Sequence, residues 1–433
     1  MSAGDRASLP TVLRHRWRSA ARGTAACAAA LVLSVSAAAQ NTPAQPAPPE
    51  PAVAAPVAGW NEGFFIQTPN GDNRLQIGFV VQADGRFALD DPPPITNTFV
   101  LRKARPTFTG RVAKFFDFKV MPELAGSVVL LDGYFDIRFS PKLRLRSGKD
   151  KTPVGYELLI GDAFLIFPER SVVSLLVPNR DVGFQAQGDL AGGKLAYSGG
   201  IFNGNPVDGT GTIADVDTNN GKDLAGRVVW MPFRSAKTPP HTLNTFGFHL
   251  GGSTGNQTGA LPSFRTSAGQ TYFSFPATTT ADGRRNRVSP AVFLYSKGFG
   301  GFAEYARTTQ DIVTDGVPQT VTSQAWGVTA TYVLTGEATS DRGVRPKAHF
   351  DPAAGTWGAV QLAARYAVLT LDGELFASGI AAPAASRTAR QMTLATNWFL
   401  NNYVKIYATY ERFTFSGGRA NENLILFRTQ LAF

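Results

Sequence analysis

The chain has 433 residues, of which 43% are hydrophobic and 17% charged, and its formal net charge is +10. Its lysines and arginines are mostly single and alternate with apolar residues, so the basic runs of a general nucleic-acid binder are excluded. Cys27, near the N-terminus, is the only cysteine, which excludes a disulfide framework, a zinc knuckle and a cysteine nucleophile from the rest of the chain.

The N-terminal region predicts a cleaved signal peptide over residues 1–39. Four arginines lie between positions 14 and 22, an apolar run follows over 25–35, and three alanines at 37–39 precede a cleavage site that we place before Gln40. The run is too short to span a membrane as a helix, and no other segment approaches the roughly twenty apolar residues required. Any membrane insertion must therefore use strands. Removing the five arginines and one aspartate of this region from 42 basic and 32 acidic residues leaves 37 and 31, a net charge of +6.

The rest of the chain divides into a linker and one large domain. Residues 40–58 are rich in Pro and Ala with almost no charge, which predicts an extended linker. Residues 59–433 alternate with period two between turn-forming segments, which predicts an all-β transmembrane antiparallel barrel. We predict sixteen strands, an even number as in single-chain bacterial barrels: 75–87, 98–111, 113–122, 126–139, 142–150, 182–189, 193–202, 222–231, 243–254, 287–297, 300–308, 324–335, 358–370, 388–399, 402–413 and 423–433.

The connections between these strands alternate in length. Those at 112, 140–141, 190–192, 298–299 and 401 are tight, as periplasmic turns are, whereas 88–97, 151–181, 203–221, 255–286, 309–323 and 371–387 are mostly long, as outer loops are. The connection 336–357 does not fit this pattern, because it would be a long periplasmic segment or mark a misplaced strand.

The faces of the predicted strands separate apolar from polar residues. In the last strand Ile425, Phe427 and Leu431 share one face, and Arg428 and Gln430 share the other. A charge facing lipid near the midplane costs about 2–4 kcal/mol, so the polar faces should line a lumen. A soluble sandwich would bury the apolar faces equally well, but sixteen long segments favour one closed barrel. The terminal Phe433 is typical of a closing barrel strand and predicts a signal for the barrel-assembly machinery.

Five tryptophans lie near predicted strand ends, where interfacial aromatic girdles belong, with core packing as the alternative: Trp60, Trp230, Trp326, Trp357 and Trp398.

The segment LRKARP at residues 101–106, followed by Gly110, resembles the LRRARP…G signature of the phosphate-selective porin O/P family. Other stretches agree in order over residues 60–433: 63–65, 75–78, 132–136, 167–170, 179–183, 202–204, 222–227, 332–337, 357–359, 365–366 and 397–401.

The resemblance implies a homotrimeric sixteen-stranded porin in the outer membrane of a Gram-negative bacterium, embedded in outer-membrane lipid and passing small anions. Some members select phosphate or polyphosphate, and the third outer loop, here 151–181, is expected to fold inward. The chain departs from the family in lacking a coiled coil before the barrel and in carrying Gly148-Lys149-Asp150-Lys151 where Gly-Gln is usual. Its basic residues also do not map unambiguously onto the dense clusters of the phosphate-selective members.

Basic residues around the third loop and on inward faces are the candidate anion-binding residues, because guanidinium groups hold phosphate oxygens in a fork. We select Arg105, Lys119, Arg138, Arg144, Arg146, Lys149, Lys151, Arg170, Arg180, Arg227 and Arg365. The alternative is that each forms an ordinary ion pair in the lumen with Asp117, Asp132, Asp136, Asp162 or Glu169.

The sequence therefore predicts a passive anion porin, with phosphate or pyrophosphate as the favoured solute. A general or organic-anion diffusion porin and a non-conducting structural or adhesive barrel are the alternatives. No cofactor, metal site or enzymatic activity is predicted, because the three histidines after position 40 are far apart and no serine has the surroundings of a nucleophile.

Overall fold

A computed structural model describes residues 55–204, 219–235 and 242–433. The predicted signal peptide, most of the predicted linker and most of the predicted loop 203–221 lie outside these residues. The described strands are β1 (Val57–Trp60), β2 (Phe64–Gln67), β3 (Arg74–Ala88), β4 (Thr98–Val112), β5 (Phe116–Glu123), β6 (Val129–Ser140), β7 (Leu143–Lys151), β8 (Arg180–Leu190), β9 (Leu195–Phe202), β10 (Asp223–Trp230), β11 (Gly247–Gly259), β12 (Phe264–Arg265), β13 (Thr271–Phe273), β14 (Thr279–Ser296), β15 (Phe299–Thr314), β16 (Val317–Val333), β17 (Thr339–Ser340), β18 (Gly343–Val344), β19 (Ala359–Thr370), β20 (Thr388–Phe399), β21 (Val404–Phe415) and β22 (Glu422–Ala432).

The helices within the described residues are short. They are α1 (Tyr156–Leu159), α2 (Glu374–Ala377) and three 3₁₀ turns at Asp162–Phe164, Val172–Leu176 and Ala191–Gly193. None of the helices in the described part of the chain is long and apolar enough to cross a membrane.

Sixteen of the strands form one closed antiparallel barrel, which consists of β3–β11, β14–β16 and β19–β22. Closure occurs where β22 pairs with β3, from Leu424 opposite Ala88 to Ala432 opposite Val80. The β1–β2 hairpin extends the sheet by pairing with the first residues of β3. The sixteen predicted strands are thus confirmed, each by one barrel strand.

The strands alternate between an outward apolar face and an inward polar face. On β22, Ile425 and Phe427 are exposed outward, whereas Arg428 and Gln430 are buried inward. The predicted division of this strand agrees with the structure, because a barrel with lipid outside must send its charges to the lumen.

The predicted outer loop 309–323 is wrong. β15 and β16 instead continue until they meet in a two-residue turn at Asp315 and Gly316, both with positive φ (49° and 82°), as tight hairpin turns require. Alternating Thr and Gln residues made this region look like a polar loop. β-Branched Thr, however, fits a strand that rises above the apolar zone. For the same reason β11 and β14 extend into the predicted loop 255–286.

The connection 334–358 lies between two correctly predicted strands and is a folded periplasmic segment. It contains the small β17–β18 hairpin, in which the backbone N–H of Thr339 donates to the carbonyl of Lys297. Val344 is buried against Val333, Ala359 and Phe399, which face inward at the periplasmic end of the barrel. This hairpin therefore packs against the inward face of the barrel at its turn end.

Candidate functional site: the lumen and its inward loop

The connection between β7 and β8, residues 152–179, folds into the lumen, and we call it the inward loop. Near its start the loop backbone crosses β11 at Gly251, where a Cβ atom would overlap the carbonyl oxygen of Val154. The absence of a side chain at this position lets the loop lie against the barrel wall. Tyr156 then stacks on Phe293 of β14, with ring centroids 4.9 Å apart.

A buried carboxylate and a buried guanidinium fix the middle of the inward loop. Glu304 of β15 accepts hydrogen bonds from the backbone N–H groups of Tyr156 and Glu157 at 2.8 and 3.0 Å. Arg365 of β19 is only 3% exposed and pairs with Glu157 at 3.3 Å and with Glu411 at 3.2 Å. The loop and the barrel wall are therefore joined by buried ion pairs. Removing one partner of a buried ion pair is costly.

The far side of the inward loop is held through its backbone carbonyls. Each accepts a hydrogen bond from an inward side chain of β20–β22: Ile166 from Asn397 at 3.0 Å, Leu165 from Lys405 at 2.9 Å, Pro168 from Arg428 at 2.5 Å and Ala163 from Gln430 at 2.9 Å. The loop thus covers the inward faces of β15, β19–β22 and β3–β4, which we call the covered wall.

A cavity of about 530 Å³ lies on the outer side of the inward loop, and we call it the outer pocket. Its walls come from β3–β6, the loop, and residues 265–269 of the connection between β11 and β14. Three acidic residues line it, namely Glu123, Asp162 and Glu169, against seven basic ones: Arg86, Arg102, Lys103, Arg105, Arg170, Arg180 and Arg265. Arg86 and Arg180 also pair with Asp84 and Asp132, which lie outside the lining, and the formal excess of positive charge that remains makes this cavity attractive to anions.

Each loop carboxylate in the outer pocket is shared by several cations. Asp162 pairs with Lys103 at 3.2 Å, with Arg170 at 2.8 Å and with Arg105. Burial opposes ionisation of Asp162, but these cations, with Lys103 the strongest, hold its pKa well below the ordinary value. Asp162 therefore remains charged and anchors three cations without cancelling them.

Glu169 anchors a second group of cations in the same way. Arg102 binds it at 2.8 Å, Arg86 at 2.9 Å and Arg428 at 3.4 Å. Burial again opposes ionisation, while Arg102 and Arg428 hold the pKa of Glu169 well below its usual range. Three guanidinium groups thus surround one carboxylate.

A second set of basic side chains lies lower in the lumen, on the inward faces of β6, β7 and β10. We call Arg138, Arg144, Arg146 and Arg227 the arginine wall. Arg138 and Arg144 stand directly opposite each other across β6 and β7, and Arg138 pairs with Asp117 at 3.8 Å. Arg146 is neutralised by Asp136 at 2.7 Å and by Asp150. Among the described residues Arg144 and Arg227 form no ion pair.

The structure places the predicted anion-binding residues in different parts of the lumen. Arg105, Arg170 and Arg180 line the outer pocket, and Arg138, Arg144, Arg146 and Arg227 form the arginine wall. Lys119 shares Asp132 with Arg180, both at 2.6 Å, and Lys149 is buried in β7. Arg365 and Lys151 lie under or against the inward loop, where Lys151 donates to the carbonyls of Leu158 and Ile160. These last two residues support the loop and do not face the open lumen.

Sequence reasoning missed four residues of the outer pocket: Arg86, Arg102, Lys103 and Arg265. Arg102 is the extra residue of a bulge, since Gln82 pairs with Lys103 while Ala83 pairs with Leu101. Simple alternation would send Arg102 outward. Its place next to Lys103 and Arg105 in the quoted signature was the available signal.

Within the described residues, no group of three or more His, Cys, Asp or Glu side chains is arranged to hold a metal ion. The acidic residues around the outer pocket are instead engaged by arginine and lysine.

The model of one protein family, described as phosphate-selective porin O and P, matches residues 75–433. The chain belongs to this family. Together with the closed barrel, membership indicates an outer-membrane porin, a channel rather than an enzyme. No curated protein matches the chain.

Solved structures with the same fold are distant in sequence. An anion-selective porin from Comamonas acidovorans has a TM-score of 0.54 at 11% identity, covering 83% of this chain and 100% of its own. The outer membrane channel DcaP of Acinetobacter baumannii has a TM-score of 0.54 at 9% identity, covering 86% and 99%. Salmonella typhi OmpF, in complex with daunomycin, has 0.53 at 12% identity, covering 84% and 99%. These similarities show the fold.

Proposed function

We propose that this porin is a passive channel for small anions, with phosphate or pyrophosphate as the favoured solute. The observation that carries the proposal is the outer pocket, where seven basic and three acidic side chains line one cavity above the inward loop. An anion entering from outside meets this excess of positive charge first.

Shared carboxylates support anion capture in the outer pocket. Asp162 and Glu169 each contact three cations, so they hold the guanidinium groups in place and leave the cluster positive. Side chains fixed in this way present their remaining N–H donors at little entropic cost, and planar guanidinium groups match phosphate oxygens.

The arginine wall supports a path through the rest of the lumen. Arg146 and Arg227 lie in the middle of their strands, and Arg138 and Arg144 lie near the periplasmic ends of theirs. Several weak sites in series allow an ion to enter and still leave, as conduction requires.

A general anion porin without phosphate selectivity is the second candidate. It is favoured by the ion pairs themselves, because Arg105, Arg170 and Arg180 each already bind a carboxylate. The two candidates differ in whether phosphate binds strongly enough to obstruct other anions.

Family membership also supports three accompanying proposals. The chain is exported with a signal peptide that is cleaved before Gln40, is assembled through its terminal Phe433, and functions as a homotrimer. Phe433 pairs by backbone hydrogen bonds with Phe79, and its ring lies 5.2 Å from that of Trp60. The last residue is thus part of an aromatic cluster that the assembly machinery would meet at the end of β22.

Titration of phosphate into a planar bilayer that carries a steady chloride current tests the solute assignment. We expect phosphate to reduce the wild-type current, and R102Q to need about tenfold more phosphate for the same reduction, since one charged hydrogen-bond donor is lost. Glu169 keeps Arg86 and Arg428 in this variant. R284Q, which removes an exposed arginine on the outward face of β14, is the matched control.

The outcomes separate the candidates. Chloride current that phosphate does not change would leave a general anion porin, and a protein that does not conduct would support the structural or adhesive barrel.

A further inference from the structure

The outer surface of the barrel carries an apolar groove of about 690 Å³ across β16 and β19–β21. Its floor consists of small outward residues on neighbouring strands, because Ala330 pairs with Ala364 and Thr396 pairs with Ala408. Larger outward side chains form its edges, with Leu362 and Tyr332 on one side and Leu394 and Tyr410 on the other. The groove exists because alanine and threonine leave empty the space that larger outward side chains would fill.

The groove lies between two levels of outward aromatic residues. Trp326 and Tyr366 lie toward the loop end, with ring centroids 5.7 Å apart. Trp357 and Trp398 lie toward the turn end, where both contact Phe350. Aromatic residues at both edges of an apolar band mark a surface that faces lipid.

Two arginines stand at the loop-end edge of this band, in register with Tyr366 and Trp326. Arg412 is the next outward residue after Tyr410 on β21, and it pairs with Met392, two residues from Arg390 on β20. The two arginines are therefore diagonal neighbours on the same face of the sheet, and their backbones are about 7–8 Å apart. Both residues are exposed, and among the described residues neither forms an ion pair.

Within the described residues no ion pair compensates these two charges, and the nearest acidic group is Asp90, which is held by Asn423 opposite Arg412. The outward faces of β19–β22, all within the described residues, carry no Asp or Glu. Two like charges held side by side at the edge of a lipid-facing surface repel each other unless an anion lies between them. Arg390 pairs with Val368, the partner of Trp326, so the two arginines share the register of the loop-end aromatic residues, and such residues mark a membrane interface.

We propose that Arg390, Arg412 and the groove below them form a binding site for a phosphorylated lipid of the outer leaflet. The headgroup phosphate would bridge the two guanidinium groups. One acyl chain would then run past Tyr410 and fill the groove over Ala364 and Ala408. The distance from Arg412 to Ala408 is four strand residues, about 13 Å, which suits a headgroup and the upper part of its chain.

A lipid is a better occupant than a second copy of the chain. The aromatic levels that bound the groove are those of a surface in contact with membrane, and a porin subunit would have to bring its own carboxylates to match two exposed arginines. A phosphorylated lipid supplies both the negative charge and the apolar chain in one molecule.

The test is native mass spectrometry of the detergent-purified full chain titrated with lipid A that carries two phosphates. We expect one lipid bound per barrel, and about a hundredfold weaker binding to R390Q/R412Q because two charged hydrogen bonds are lost. The control is R284Q/R307Q, which removes two exposed outward arginines, one toward the loop end of β14 and one in the middle of β15, and should change binding less than about twofold.

Further measurements distinguish a specific site from general attraction. Lipid A without phosphates should bind the wild type as weakly as R390Q/R412Q binds the phosphorylated form, and A408W should weaken lipid binding by filling the groove. Wild-type conductance in each variant would show that the barrel is folded. Equal losses in the two arginine pairs, or equal binding of the dephosphorylated lipid, would overturn the site. A change of oligomeric state in A408W would show that a second copy covers the groove.

Discussion

The covered wall and the arginine wall are built from the same residue type and use it in opposite ways. On the covered wall Arg365 and Arg428 are fully buried, and each binds carboxylates and loop carbonyls. On the arginine wall Arg144 and Arg227 are only half-buried and make no ion pair within the described chain. Arginine thus holds the inward loop on one side of the lumen, and we propose that on the other side it attracts solute.

The difference shows that an inward arginine is not by itself an anion site. What decides its role is whether a carboxylate from a distant part of the chain reaches it. The outer pocket is intermediate, because its carboxylates are present but outnumbered.

The largest effect is expected on the covered wall. R365M would leave Glu157 and Glu411 without their shared cation in a buried place, which costs about 3–5 kcal/mol. We expect the inward loop to detach, so that thermal stability falls and single-channel conductance rises. Both are measured on purified protein, with R284Q as the surface control. Unchanged conductance in R365M would show that the loop is held without this ion pair.

A smaller effect is expected where the inward loop crosses β11. G251A places a Cβ atom against the carbonyl oxygen of Val154, and overpacking of this kind costs about 1–3 kcal/mol. The conductance should become larger or noisier than in the wild type. G199A is the matched control, since its Cβ would lie 3.8 Å from the nearest atom. If the two alanine variants behave alike, the close approach at Gly251 does not position the loop.

Substitutions in the arginine wall should change the ion selectivity of the channel without changing the stability of the protein. In R144Q/R227Q each lost charge removes about 1 kcal/mol of attraction for a passing anion, so the anion-to-cation permeability ratio should fall roughly fivefold for each charge, or roughly thirtyfold for the pair. Reversal potentials under a salt gradient measure this ratio. A loss of thermal stability comparable to that of R365M would contradict the distinction between the two walls.

The smallest effect is expected from pH. The pKa values of Asp162 and Glu169 are depressed in the folded protein, so their contribution is present above the unfolded pKa of about 4 and is lost as pH falls through the lower folded value. The contribution of Asp162 and Glu169 to conductance should therefore stay constant from about pH 8 down to about pH 4. A conductance change between about pH 5 and pH 7 would show that other groups control the loop.

The sixteen strands could be predicted because alternation and turn chemistry are local signals. Strand bounds failed at β15 and β16, where Thr and Gln on both faces hide the alternation beyond the apolar band. The strands could thus be predicted wherever one of their faces meets lipid.

The candidate site was less predictable because it depends on contacts between distant residues. Arg365 and Glu157 are separated by 208 positions, and nothing near Arg365 in sequence reveals that it is already paired. The bulge at Arg102 was hidden in the same way, since it depends on the register between β3 and β4. The sequence therefore identified inward arginines, but it could not distinguish those that hold the inward loop from those proposed to contact solute.

The reversal potential of the wild-type protein in a planar bilayer under a potassium chloride gradient tests the central claim most directly. The excess of basic side chains in the outer pocket and the charges of Arg144 and Arg227, which form no ion pair within the described residues, predict a potential with the sign of chloride selectivity. A potential near zero, or one with the sign of potassium selectivity, would contradict an anion channel.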